Sequence, residues 1–174
     1  MIIKPYSLGP GYRVLRKPIA GAGSGFICRV HLKNIKNKEA LTFKLVRIDS
    51  SRISVSMLHK DERVGGFIFA EREGCLDLFQ IHVKGSEKGR GSTAFAFLSK
   101  LARSQNKTLQ ASLINNTTII HIMFKFFSDV KIKIGSSWES RTEEQIVKIF
   151  WDDMMKAPHE QHVVYLRGYP KADH

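Results

Sequence analysis

A change of period in the middle of the chain limits the folds available to it. Residues 41–48, 52–59, 64–70 and 75–83 are four extended stretches rich in β-branched and aromatic side chains. The links between them are Asp49-Ser50-Ser51, Lys60-Asp61-Glu62 and Glu71-Arg72-Glu73-Gly74. Polar links this short join antiparallel neighbours, because a parallel pair needs a crossover of about a dozen residues or more. After Val83 the pattern becomes helical, with Ala94, Phe97, Leu98, Leu101 and Ala102 on one face and Asn106 as a stop. Residues 109–113 return to strand, 117–127 read as an apolar helix, and 130–134 as another strand.

Thr142 followed by Gln145 is a capping box that opens a helix through Met155. Its apolar residues Ile146, Ile149, Phe150 and Met154 share one face, as core-packing residues do. Beyond Pro158, residues 162–166 read as a closing strand. Near the start, residues 12–15 suggest a strand, Gly21-Ala22-Gly23-Ser24-Gly25 a loop, and 27–35 a short helix or strand. The glycine run lacks GxGxxG spacing and a convincing strand ahead of it, so it reads as a plain loop. The expected fold is α/β (α+β), a mixed sheet with helices, in a single domain spanning 1–174.

Composition adds a sign. Lys and Arg number 28 against 16 Asp and Glu, a net charge of +12 and a pI near 9.9. Such a surface favours polyanions: a nucleic acid, an acidic partner, a phosphorylated cofactor. Cys28 and Cys75 make no disulfide framework, and no Cys/His spacing points to zinc, so no metal is expected. No apolar run approaches the ~18 residues of a membrane span. The expectation is a cytoplasmic protein without a membrane partner, monomer or homodimer.

The junction Val83-Lys84-Gly85-Ser86-Glu87-Lys88-Gly89-Arg90-Gly91-Ser92-Thr93 lies between a strand and a helix. A helix start carries unpaired N–H groups and partial positive charge, which suit phosphate. Gly89 and Gly91 let the backbone approach an anion closely. Lys84, Lys88 and Arg90 add full charge. It is not a Walker loop, because no GK[ST] follows the glycines.

Strand, glycine loop and amphipathic helix after an antiparallel meander resemble the GCN5-related N-acetyltransferase (GNAT) superfamily, whose loop signature is [RQ]-x-x-G-x-[GA]. Val83 matches the valine five residues upstream and Gly91 the glycine. Lys88 stands for Arg or Gln, and Thr93 for Gly or Ala. Val64-Gly65-Gly66-Phe67 looks like the family's third strand, and Asn116 with Phe124-Lys125-Phe126-Phe127 echoes a segment after the fifth. The likeness covers residues 41–134. It implies a mostly antiparallel central sheet with a splayed fourth and fifth strand pair and flanking helices. It implies acetyl-CoA, or another acyl-CoA, held by Lys88, Gly89, Arg90, Gly91, Ser92, Thr93 and Asn116, with backbone contacts from Ile81 and Val83.

Independently, apolar parity breaks within residues 75–83. It runs through even positions Leu76 and Leu78, then odd ones, Phe79, Ile81 and Val83. A period-2 strand cannot switch faces without an inserted residue, so a β-bulge is expected near Leu78-Phe79. Asp77, Gln80 and His82 then share a polar face.

The resemblance implies direct acyl transfer from CoA to an amine. Asp77 and His82 are the candidate bases. The family's tyrosine acid falls at Met123 or Ile122, neither of which can protonate a thiolate. Water, His121 or Tyr165 remain as sources of that proton. The acceptor is an amine-bearing small molecule, a peptide or an aminoacyl-tRNA. A non-catalytic CoA-binding domain and a basic nucleic-acid-binding domain are the alternatives.

Overall fold

In a computed structural model, the structure describes residues 8–17, 23–85, 87–114, 117–158 and 163–172. Six strands come first: β1 (Arg13–Leu15), β2 (Phe26–Lys33), β3 (Ala40–Arg47), β4 (Arg52–His59), β5 (Glu62–Arg72) and β6 (Cys75–Val83). Each lies antiparallel to the one before it. Helix α1 (Arg90–Ser104) then crosses over to β7 (Thr108–Ile114), which runs parallel to β6. Next come α2 (Thr118–Phe126), β8 (Phe127–Ile134), β9 (Ser137–Ser140), α3 (Glu143–Lys156) and β10 (Val163–Pro170). Strand β10 inserts between β7 and β8, antiparallel to both, giving one sheet ordered β1-β2-β3-β4-β5-β6-β7-β10-β8-β9.

The expected mixed, mostly antiparallel sheet is present. Residues 27–35, readable as helix or strand, belong to strand as far as Lys33, because the residues of β2 alternate. Cys28, Val30 and Leu32 are buried, whereas Arg29 and His31 are half-buried and Lys33 is exposed. Helix α1 covers the apolar face: Phe97 sits edge-on to Phe43, with ring centroids 5.1 Å apart, and tilted over Phe67 at 6.1 Å. Helix α2 packs on α1, with Ser99 donating its hydroxyl to the Phe126 carbonyl, and α3 packs on α2 through buried Ile146 and Phe150. The capping box of α3 is formed, with Gln145 N–H on Thr142 Oγ1 at 3.2 Å and Thr142 N–H on Gln145 Oε1 at 2.9 Å. Such caps contribute about 1 kcal/mol.

All three helices therefore lie on one face of the sheet. Among the described residues no helix covers the other face, whose side chains on β2 to β4 are mostly polar and half-buried. No helix of the described chain is long and apolar enough to cross a membrane. The short β9, Ser137-Trp138-Glu139-Ser140, extends the sheet beyond the strands read from sequence.

Candidate active site

The site begins with the bulge. In the β5–β6 ladder Ile68 pairs with Gln80 and Phe69 with Leu78, so Phe79 is the extra residue, where the parity break puts it. Beyond it, Gln80 pairs with Ile68 and His82 with Gly66, while Asp77 pairs with Ala70. These three β5 residues alternate, so Asp77, Gln80 and His82 do share one face. Ile81 and Val83 turn to the apolar side and pack partly on the core.

On its other edge β6 pairs with β7 only from Cys75 to Leu78, against Thr108 to Ala111. Both strands continue, to Val83 and Ile114, without pairing to each other, while β7 stays paired to β10 on its far edge from Leu109 to Ile114. The two strands thus part above Leu78, where Ser112 reaches the Leu78 carbonyl at 3.5 Å. Lys84 donates its N–H to Val64 at 2.8 Å. Backbone groups alternate along a strand. Those of Ile81 and Val83 therefore point away from β5, into the opening.

Helix α1 starts at the same end. Gly89 is its N-cap in the left-handed region, φ 94°, with no side-chain cap and no acid in the first turn. Thr93 N–H returns to the Gly89 carbonyl at 2.8 Å, so the N–H groups of Arg90, Gly91 and Ser92 precede the helical ladder. A Cβ on Gly91 would meet nothing within 4 Å, leaving the approach to these N–H groups open. A Cβ on Gly89 would lie 2.5 Å from Asn34 Oδ1 and 2.8 Å from Lys36 Cβ.

Those contacts reveal a brace that sequence reasoning missed, the β2–β3 turn. Asn34, fully buried, donates its amide to the Lys88 carbonyl at 3.2 Å and to Glu39 at 3.3 Å. Ile35 N–H reaches Thr93 Oγ1 at 3.1 Å, and Asn37 donates to Glu87 at 3.0 Å. Two expected ligand side chains belong to this brace. Arg90, expected to add positive charge for an anion, is buried, its Nε on Glu39 at 3.0 Å and its Nη1 on the Lys84 carbonyl at 3.0 Å. Thr93 is fully buried, its hydroxyl donating to the Gly89 carbonyl at 2.7 Å. Both side chains shape the loop rather than face a ligand; what they offer an anion is limited to backbone and, for Arg90, to charge at a distance. Lys84, Lys88, Gly91 and Ser92 stay exposed or half-buried, and Asn116 lies outside the described residues.

Beside the helix start, a cleft of about 930 Å³ opens between the turn, α1 and the end of α2. Lys33, Lys36, Lys38, Lys100, Lys125 and Lys171 line it, over walls from Tyr12, Leu32, Ile35, Ala96 and Phe126, and no carboxylate is among the lining residues. Burial pushes the Tyr12 phenol up to about 12, so it is a neutral wall near neutral pH.

The candidate acid–base residues separate by face. Asp77 is buried and held on both oxygens, by Arg72 Nε at 2.8 Å and by Gln110 Nε2 at 3.4 Å. His82 is exposed and has no hydrogen-bond partner among the described residues. His121 sits on the opposite, helical side, where its Nδ1 lies 2.9 Å from Glu143 Oε1. Asp77 and His82 are therefore together and His121 is not with them. Tyr165, 41% exposed, is the cross-strand neighbour of Ser112 on the open face. Among the described residues no group of three or more His, Cys, Asp or Glu stands where it could hold a metal ion.

No family model and no curated protein matches the chain. Among solved structures, the chain is similar to nourseothricin acetyltransferase, with 15% identity and a TM-score of 0.45 over 91% of this chain and 82% of that one. It is also similar to the aminoglycoside 6'-N-acetyltransferase from Enterococcus faecium, with 16% identity and a TM-score of 0.39 over 72% of this chain and 80% of that one.

Proposed function

We propose that the protein is an acyl-CoA-dependent N-acyltransferase, with acetyl-CoA as the donor. The observation that carries this is the coincidence of two features at one end of the sheet. Strand β6 stops pairing with β7 above Leu78, and α1 starts beside that opening with uncapped N–H groups. The free backbone groups of Ile81 and Val83 suit an amide-bearing arm, and the N–H groups of Gly91 and Ser92 suit a pyrophosphate. Lys88 adds charge at the loop. The lysine-lined cleft offers room for the donor's remaining phosphate.

The thioester supplies an activated acyl group, and the chain's part is orientation and proton movement. His82 accepts the proton released by the acceptor amine as the C–N bond forms. Tyr165, exposed on the same face, would be the proton donor to the leaving thiol. Asp77, held by Arg72 and Gln110, is a positioning residue on the floor of the same face, and His121 has no part in transfer.

The test is thermal shift with acetyl-CoA and CoA for wild type and Gly91→Asp. The aspartate places a negative charge at the helix start in open space, so the fold persists while the anion is repelled. Stabilisation of wild type alone is expected; no response in either protein would remove the CoA reading. With an amine panel, Tyr165→Phe and His82→Ala are each expected to lower turnover about 10²-fold or more.

A further inference from the structure

We infer that the helix-free face of the sheet is a binding platform for a single-stranded nucleic acid, carried by an acid-poor array of arginines and lysines interspersed with outward aromatic rings. This goes beyond acyl transfer and does not depend on it.

Strand register puts the array on one side. Arg13 pairs with His31, Arg29 with Lys44, and Lys44 with Ser56, all out of phase with the buried core residues. Arg63 lies over Gly66, which pairs with His82, and Tyr165 and Arg167 continue the same face on β10. Arg13, Arg29 and Lys44 have no carboxylate within salt-bridge distance among the described residues. The acid facing outward on β6, Asp77, is already matched by Arg72. Burial first, then Arg29 and Arg13, push the His31 imidazole below its usual range, as a positive field does.

Two further observations point to a ligand rather than to a solvated face. The buried side-chain nitrogens without a partner among the described residues are Nε of Arg29 and Nε of Arg167, and both belong to this face. A buried N–H without an acceptor is unfavourable, so neither guanidinium is fully satisfied within the protein itself. The aromatic rings also gather here. Arg167 lies 4.3 Å from the Trp138 ring centroid and Lys133 5.8 Å from that of Tyr165. Phe79, the bulge residue, is 42% exposed with Arg72 5.8 Å from its ring.

Charge alone would fit any polyanion. The rings decide between them, because bases stack on exposed aromatics whereas an acidic peptide has no need of them. From β2 to β10 the face crosses six strand spacings, about 29 Å, enough for a short single strand.

The experiment measures binding of labelled 20-nucleotide single-stranded RNA and DNA by fluorescence anisotropy, at two salt concentrations, with the full chain. Binding is expected to weaken with salt. Arg29→Glu with Lys44→Glu should weaken it at least tenfold, while Lys148→Glu on α3, on the other side of the molecule, changes it less than twofold. Equal loss in both variants, equal binding of poly-glutamate, or no binding of either strand would overturn the proposal. A tighter RNA or DNA arm identifies which nucleic acid is preferred.

Tryptophan emission gives a reading that needs no charge reversal. In Trp151→Phe, the remaining Trp138 is expected to be quenched by the bound strand. In Trp138→Phe, the remaining Trp151 should not respond. Quenching of Trp151 alone would place the strand on the helical side and sink the idea.

Discussion

The guanidinium of Arg90 lies against the carboxylate of Glu39, and both side chains are less than a tenth exposed. The pair joins the start of α1 to the β2–β3 turn, with Asn34 completing the contact. Removing one partner leaves a buried charge without its counterpart. Arg90→Ala or Glu39→Ala is therefore expected to lower unfolding free energy by about 3–5 kcal/mol. Urea melts check it, and a double variant to apolar residues should cost less than the sum of the two.

The same pair sets an acid limb of stability. The Arg90 hydrogen bond holds the Glu39 carboxyl below the usual carboxylate range against the opposing effect of burial. A carboxyl with a lower pKa folded than unfolded stabilises fully above its unfolded value, about 4.3. That contribution is lost as pH falls through the folded value. Asp49 behaves likewise, pushed down to about 2 by N–H groups of Arg52 and Ser51. Urea midpoints measured between about pH 2.5 and 6 should fall steeply towards acid in wild type, and less steeply in Glu39→Gln.

Gly89 and Gly91 are two residues apart and should respond oppositely to alanine. At Gly89 the backbone is left-handed and a Cβ would meet Asn34 and Lys36, so Gly89→Ala should cost more than the roughly 1–2 kcal/mol of the backbone term alone. Gly91→Ala meets open space at a helical position and should be neutral or slightly stabilising. Thermal melts of the two variants distinguish them.

Both cysteines should be silent in the native state. Cys28 is 1% exposed, and burial pushes its thiol up to about 11; burial raises Cys75 as well. Since the thiolate is the reactive form, Ellman's reagent at neutral pH should find neither thiol before denaturant is added and both after. Rapid native labelling of either would contradict this burial.

Much of the fold was legible because periodicity reports burial directly. The four-stranded meander, the helix after Val83 and the Thr142 capping box all carry their signal within a few residues. So did the bulge, since Leu76, Leu78, Ile81 and Val83 could face one core only with Phe79 inserted. The Asn34–Glu39 brace was not legible. Its members meet Lys88, Arg90 and Thr93 more than fifty positions away, through polar contacts that leave no pattern in either segment. For the same reason Arg90 read as a ligand although the buried Glu39 holds it, and nothing in the sequence showed that Asp77 is held by Arg72 and Gln110. Strand β9 escaped because Ser-Trp-Glu-Ser has too little apolar alternation to register.

Strand β10 sits between β7 and β8 although it follows both in the chain. The β8–β9 hairpin therefore has no strand linking it to β7 until residues 163–170 arrive. Those contacts span up to about sixty positions, a separation that slows closure. The β1–β6 meander, built from successive neighbours, can pair early, while the right-hand part of the sheet is assembled late and as a unit. Among the described residues, strand β10 is thus the single tie that holds the β8–β9 hairpin to the rest of the sheet, on the side that carries Tyr165 and away from the glycine loop.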